Sequence, residues 1–119
     1  MVDLLDLASH RWRRPITLPG TANFVSELGF SPDARSLYVS ALSRSGLMHT
    51  LYIANVATGR VTQARVFGVS VAFALTPDSR TVWVAVGNRE TALLPVNATT
   101  GVTGRAAAYL PGGAVAIGL

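Results

Sequence analysis

The chain has 119 residues, of which 50% are hydrophobic and 13% charged, so it is long enough for one domain and apolar enough to bury a core. All ten basic residues are arginines, and with six acidic residues they give a net charge of +4. Cysteine is absent, which excludes disulfides, thiolate nucleophiles and cysteine-ligated metals and fits either a reducing or an oxidising compartment.

The N-terminal residues 1–14 place acidic residues before a short apolar run, which is the wrong order for a signal peptide. Arg11, Arg13 and Arg14 cluster here, and we interpret them as a solvated loop or strand edge. The other arginines are scattered and do not alternate with aromatic residues, so nucleic acid is not a predicted partner. The sequence leaves the compartment unknown: a cytoplasmic location is the default, and an extracytoplasmic one follows if the chain is part of a longer parent that carries a targeting signal.

The chain spells one turn and strand twice, because FSPDARSLYVS at residues 30–40 returns as LTPDSRTVWVA at residues 75–85. A second pair follows, in which LYIANVATGRV (51–61) aligns with LLPVNATTGV (93–102). The flanking runs are rich in β-branched and aromatic residues, which favours strands. The sequence therefore predicts a repeat of 42 to 45 residues with four short strands in each unit.

The polar residues of the repeat are predicted to build turns. Proline presets the φ angle of a turn's second residue, and the carboxylate of Asp33 or Asp78 then accepts backbone N–H groups. In the later turn of each unit, Asn55 or Asn97 plays the same part, and the glycine four residues on supplies a positive φ angle.

The repeat divides the chain into parts. Residues 1–23 form a half unit with Asp6 at the asparagine position and His10 at the glycine position, and complete units run over 24–67 and 68–111. Residues 112–119 begin a further unit, since GAVAIGL at the end of the chain matches the strand that precedes the Pro-Asp turn. The most apolar stretch, VFGVSVAFAL, is too short to cross a bilayer, so no membrane segment is predicted.

This repeat resembles the YVTN-type repeat of lactonase-like β-propellers, whose pattern runs strand, SPDGKTLYVAN, strand, DTATGKV, strand. The resemblance implies an all-β fold of β-propeller blades, each with four antiparallel strands A to D, in an incomplete ring. It also implies that the A–B and C–D turns share one face and the B–C and D–A loops the other. The glycine of the Pro-Asp-Gly pattern is Ala34 in one unit and Ser79 in the other. A left-handed conformation costs such residues about 1 kcal/mol, so we expect these turns to differ from those of the family.

The B–C loops differ most between the units, which on this layout favours the B–C/D–A face as the binding face for a protein partner or a small ligand. The candidate residues are Arg44, His49, Arg89 and Glu90 in the B–C loops and Asn23 near a D–A loop. The alternative is that they are only solvated loop residues.

Glu27 is a further candidate, because this strand A residue aligns with Ala72 and Ala116. Its carboxylate could line the channel and bind a cation or a ligand hydroxyl. Alternatively it points into water or pairs with an arginine.

No catalytic residue, metal site or cofactor is predicted, since neither metal-ligand spacing nor a nucleophile elbow is present. The leading hypothesis is a non-catalytic propeller module of a bacterial protein that acts as a protein-interaction or ligand-binding scaffold. The alternative is a fragment of a lactonase-like enzyme whose channel site is completed by other blades or another chain. Two complete blades cannot close a ring, so we expect either further blades of a longer propeller or a homo-oligomer.

Overall fold

The computed structural model describes residues 1–20, 24–42, 48–67, 70–87 and 90–111, and across these ranges the chain forms β-strands and turns without a helix. The strands are β1 (Leu5–Asp6), β2 (Arg11–Trp12), β3 (Phe24–Phe30), β4 (Ser36–Leu42), β5 (Met48–Asn55), β6 (Val61–Phe67), β7 (Ser70–Leu75), β8 (Thr81–Val86), β9 (Glu90–Asn97) and β10 (Ala108–Pro111). The predicted all-β class is confirmed.

The strands form three antiparallel sheets. β1 and β2 pair as a short hairpin, β3 to β6 form a first four-stranded sheet, and β7 to β10 form a second one. In both four-stranded sheets each strand pairs with the next along the chain, which is the arrangement that short turns between antiparallel strands allow. Within the described residues the sheets do not close into a ring.

The first sheet lies between two neighbours, and β4 shows how its side chains are shared. Leu37, Val39 and Ala41 face the N-terminal layer, by which we mean residues 1–20, and pack there against Leu4, Ile16 and Leu18. Tyr38 points the other way, into the core against the second sheet. This alternation follows from the two-residue period of a strand, and it makes β4 buried on both faces.

The core between the two four-stranded sheets consists mainly of β-branched and small aliphatic side chains. It contains Leu51, Ile53, Ala64 and Val66 from the first sheet and Val82, Val84, Val86 and Val96 from the second. Burying one valine or leucine side chain stabilises a fold by about 1.5–3 kcal/mol relative to leaving it exposed. The contact between the sheets is therefore a major source of stability.

The two Pro-Asp turns have the same construction. The Ser31 hydroxyl donates to the Asp33 carboxylate, which also accepts the main-chain N–H of Arg35 at 3.1 Å. In the other turn the Thr76 hydroxyl donates to Asp78, and the N–H of Arg80 does so at 3.0 Å. These hydrogen bonds hold the pKa of each carboxyl below its ordinary value. The predicted structural part of both aspartates is confirmed.

The later turn of each unit is also repeated. Oδ1 of Asn55 accepts main-chain N–H groups from the residues two and three positions on, at 3.0 and 2.9 Å, and Oδ1 of Asn97 does the same at 2.9 Å for both. Asp6 accepts the corresponding two N–H groups at 3.0 Å. The prediction that Asp6 occupies the asparagine position of the repeat is confirmed.

Three residues that replace the repeat's glycines keep a left-handed backbone. Ala34 and Ser79 both have a φ angle of 57°, and His10 has 53°, near the 73° of Gly59. Ala34 and Ser79 thus take the left-handed conformation that a glycine at their positions would favour. The carboxylate, hydroxyl and main-chain hydrogen bonds around each turn fix its conformation, so the non-glycine residue accepts the strain.

Candidate functional site

Three of the six candidate residues, Asn23, Arg44 and Arg89, lie outside the described residues. His49 and Glu90 are described, and the prediction that they belong to loops is wrong. His49 is the second residue of β5 and pairs with Leu42 and Val66, while Glu90 is the first residue of β9 and pairs with Pro111. Both strands extend further than their apolar runs indicate, because main-chain pairing continues through these polar residues.

His49 is buried rather than solvated. Its side chain is 4% exposed, and its Nδ1 lies 3.2 Å from the hydroxyl Oγ of Ser40, which is 3% exposed. Burial disfavours the charged imidazolium and lowers the pKa of His49 below its ordinary value. Nδ1 of the neutral ring can accept a hydrogen bond from the Ser40 hydroxyl, so the two side chains form a buried polar pair.

Glu27 lies on the same face of the first sheet as Ser40 and His49. It is the residue opposite Ser40 in the pairing of β3 with β4, and a register shift between Val25 and Glu27 precedes it. A bulge of this kind changes which face a following side chain takes. The Ser26 hydroxyl bonds the carbonyl of Ser40 at 3.1 Å beside it. Glu27, Ser40 and His49 therefore share the face that looks toward the second sheet, and we call them the polar cluster.

The carboxyl of Glu27 is half-buried and close to the second sheet. Desolvation raises the pKa of Glu27, and hydrogen bonding to the main chain of Phe73 partly opposes that rise. Phe73 belongs to β7, the first strand of the second sheet. Glu27 thus lies where two neighbouring sheets meet, with one side toward protein and one toward solvent.

The second sheet shows that the fold does not need these polar residues. Ala72 pairs with Ala85 in the second sheet as Glu27 pairs with Ser40 in the first, so both polar residues are replaced by alanine. Thr91 occupies in the second sheet the position of His49 in the first. Ser40 pairs with the leucine two residues after His49, and Ala85 pairs with the leucine two residues after Thr91. The same ladder therefore forms around Ala, Ala and Thr.

Ser40 is the member of the cluster that sequence reasoning missed. A serine in an alternating strand indicates a solvent-facing position, and only the pairing of β4 with β5 reveals its contact with His49. One signal was present, since the repeat aligns Ser40 of YVS with Ala85 of WVA.

Arg13 of the basic cluster has a structural partner. Its guanidinium pairs with the Asp6 carboxylate across the β1–β2 turn, and this pair, together with the N–H of Ser9, lowers the pKa of Asp6 to about 2. Arg14 lines a groove of about 280 Å³ beside the turn at residues 56–59. Arg60 lines a similar groove of about 280 Å³ between the two four-stranded sheets. Both grooves are lined by turn residues, away from the polar cluster.

Within the ranges given above, His, Asp and Glu side chains do not gather in the groups of three that could hold a metal ion. The same part of the chain contains no helix with the length and hydrophobicity needed to cross a membrane. A scan against models of known protein families found no match, and neither did a search of curated proteins.

Proposed function

We propose that this chain is a module of YVTN-type β-propeller blades that binds a small ligand at the end of its sheets where the polar cluster lies. The proposed ligand offers a cationic or hydroxyl group to the carboxylate of Glu27. The observation that carries the proposal is the polar cluster itself, which the second sheet replaces by Ala72, Ala85 and Thr91.

The arrangement of the sheets supports the blade interpretation. Two four-stranded antiparallel sheets follow each other in the chain, and the face of one packs on the face of the next. The Pro-Asp turn and the later asparagine turn (Asx turn) form the same hydrogen bonds in both sheets. Blades of a propeller are four-stranded sheets packed face to face around a channel, and these features fit that architecture.

The cost of burial supports a binding part for the cluster. Burying a polar group is unfavourable unless it finds a hydrogen-bond partner, and the first sheet accepts this cost at three positions where the second sheet mostly avoids it. Glu27 retains access to solvent, so its carboxylate can contact a ligand. Ser40 and His49 are buried on the same face of the sheet and form the protein side of the proposed site. A partly buried carboxylate with a raised pKa is the kind of group that functional sites contain.

The Ser40–His49 hydrogen bond also favours a second candidate function, that of a lactonase-like enzyme. A neutral imidazole beside a hydroxyl can act as a general base toward it. In such an enzyme Ser40 would be the nucleophile, His49 the base, and further groups would come from other blades or another copy. The burial of Ser40, at 3% exposed, argues for the binding function first.

The test compares thermal unfolding and calorimetric titration with Ca²⁺, Mg²⁺, a set of lactones and a set of small polyols. We expect at least one of these probes to raise the unfolding temperature of the chain and to lose that effect in Glu27→Ala, which introduces the residue of the second sheet. Glu90→Ala is the matched control, because Glu90 is the other glutamate and is exposed.

The outcomes separate the candidates. A probe response that survives Glu27→Ala, or the absence of any response, contradicts the proposed binding site. Hydrolysis of a lactone that is abolished by Ser40→Ala and by His49→Thr would establish the enzyme instead of the scaffold.

A further inference from the structure

The face of the first sheet that looks away from the second sheet is only partly covered. Leu28 and Phe30 of β3 are 55% and 54% exposed, and Val25 on the same face is 43% exposed. Beside them, Leu5 of β1 is 45% exposed. A groove of about 270 Å³, lined by Val2, Asp3, Leu4, Leu5, Leu28, Gly29, Phe30 and Leu37, runs between these strands. We call it the apolar groove.

In the second sheet, the residues that correspond to Leu28 and Phe30 are covered by a neighbouring strand. Phe73 and Leu75 occupy in β7 the positions that Leu28 and Phe30 occupy in β3. Phe73 pairs with Val84 of β8 as Leu28 pairs with Val39 of β4, and these partners correspond in the repeat. Phe73 and Leu75 pack against the first sheet. The ring of Phe73 lies over Gly29, where an added Cβ would be only 3.3 Å from Cε2 of that ring. The first strand of one sheet is therefore covered by the first strand of the sheet before it.

The described part of the N-terminal layer does not provide such a strand. Its hairpin β1–β2 carries the turn built on Asp6, which corresponds to the turn between the third and fourth strands of the other sheets. The N-terminal layer thus covers the outer part of the first sheet, where Ile16 is 2% exposed, and leaves Leu28 open.

We propose that residues 113–119 of a second copy of this chain fill the apolar groove as an extended segment packed face to face on β3. The proposal rests on the blade arrangement proposed above. In the repeat, Ala116 aligns with Glu27 and Ala72, which places Ile117, Gly118 and Leu119 in register with Leu28, Gly29 and Phe30. Gly118 then offers Leu28 the same open position that Gly29 offers Phe73. The segment has no charged side chain, as an apolar groove requires.

The same copy cannot supply this extended segment, because its own segment follows β10 at the far edge of the second sheet. Three strand spacings of about 4.8 Å and two sheet spacings of about 10 Å, taken at right angles, separate that edge from the apolar groove by about 25 Å. Only residue 112 links β10 to the segment, and one extended residue spans at most about 3.6 Å. The contact is therefore head-to-tail, so it links copies into a ring or an open chain.

The mass of the chain in solution tests the proposal. Sedimentation equilibrium over a range of concentrations should give a multiple of 12.5 kDa for the full chain, and the mass of a single shortened chain for one that ends at residue 112. Leu28→Arg should also give the monomer. Val102→Arg is the matched control, since Val102 is 65% exposed and lies in a turn away from the groove.

The absence of cysteine permits a direct test of the contact. A mixture of the single variants Leu28→Cys and Gly118→Cys should form a covalent dimer with a short bifunctional thiol reagent, and Val102→Cys with Gly118→Cys should not. A full chain that stays monomeric at every concentration overturns the proposal, and so does an assembly that persists after removal of residues 113–119. Since Glu27→Ala should leave the assembly unchanged, failure of the ligand-binding proposal would be recognised separately.

Discussion

The hydroxyl of Ser40 and Nδ1 of His49 lie 3.2 Å apart on adjacent strands, buried between two sheets that repeat the same design. The corresponding positions of the second sheet hold Ala85 and Thr91. The pair is thus an addition to a ladder that forms without it. Substitutions taken from the second sheet can therefore remove it while keeping side chains that this ladder accepts.

His49 should make the fold sensitive to mild acid. Burial lowers the pKa of His49 from 6.5, so between the two pKa values the unfolded chain holds a proton that the folded chain lacks. The free energy of unfolding should then fall as the pH drops below about 6.5. Denaturant unfolding at pH 8 and pH 5 should show a smaller difference in His49→Thr than in the natural chain.

The control for this effect is His10→Asn, because His10 is the other histidine, is exposed, and has a left-handed backbone that asparagine tolerates. That variant should keep the full difference between pH 8 and pH 5. Equal pH dependence in His49→Thr and the natural chain would show that His49 is not buried in its neutral form.

A double-mutant cycle should reveal the energy of the Ser40–His49 pair. Ser40→Ala alone leaves Nδ1 of a buried ring without its partner, which should cost about 1–3 kcal/mol of unfolding free energy. Ser40→Ala combined with His49→Thr reproduces the second sheet's residues and should recover part of that loss. Additive effects of the two changes, measured by denaturant unfolding, would show that the side chains do not interact.

Much of the fold was accessible from the sequence, because a repeated unit states each of its elements twice. The Pro-Asp and Asx turns were predicted from residue chemistry, and the hydrogen bonds of Asp33, Asp78, Asn55 and Asn97 agree with it. The β-propeller interpretation stays a proposal, since the packing of two sheets on each other is a feature that other all-β folds share.

The site was less accessible, because its members are joined by strand pairing rather than by sequence spacing. The place of Glu27 in an apolar strand marks it as a candidate in the sequence. Its position opposite Ser40 depends on a bulge, which the sequence pattern does not predict. Polar residues at the start of a strand resemble loop residues, so the sequence predicts a loop at His49. In the structure, main-chain pairing with Leu42 places His49 in β5.

Glu27 should have the opposite pH dependence to His49. Desolvation raises the pKa of Glu27 above 4.5, so between the two pKa values the folded chain holds a proton that the unfolded chain has lost. The free energy of unfolding should therefore fall as the pH rises through that interval. Glu27→Gln should be more stable than the natural chain at pH 7 and nearly equal to it below pH 4, as measured by denaturant unfolding.

Glu90→Gln provides the comparison, because Glu90 is exposed at the end of β9. It should change stability little at either pH. If Glu27→Gln were less stable than the natural chain at pH 7, the carboxylate would have a stabilising partner in the folded chain, and the raised pKa would be contradicted.

The left-handed residues should respond to glycine. Ala34 and Ser79 have φ angles of 57°, a conformation that costs a non-glycine residue about 1–2 kcal/mol. Glycine removes this strain but adds about 0.4–1 kcal/mol of entropy to the unfolded chain. Ala34→Gly and Ser79→Gly should each therefore raise the free energy of unfolding by about 0.5–1 kcal/mol. Ala57→Gly, in a turn residue without a positive φ angle, should lower it instead. A stability loss in all three variants would show that the hydrogen bonds of the Pro-Asp turns already relieve the strain.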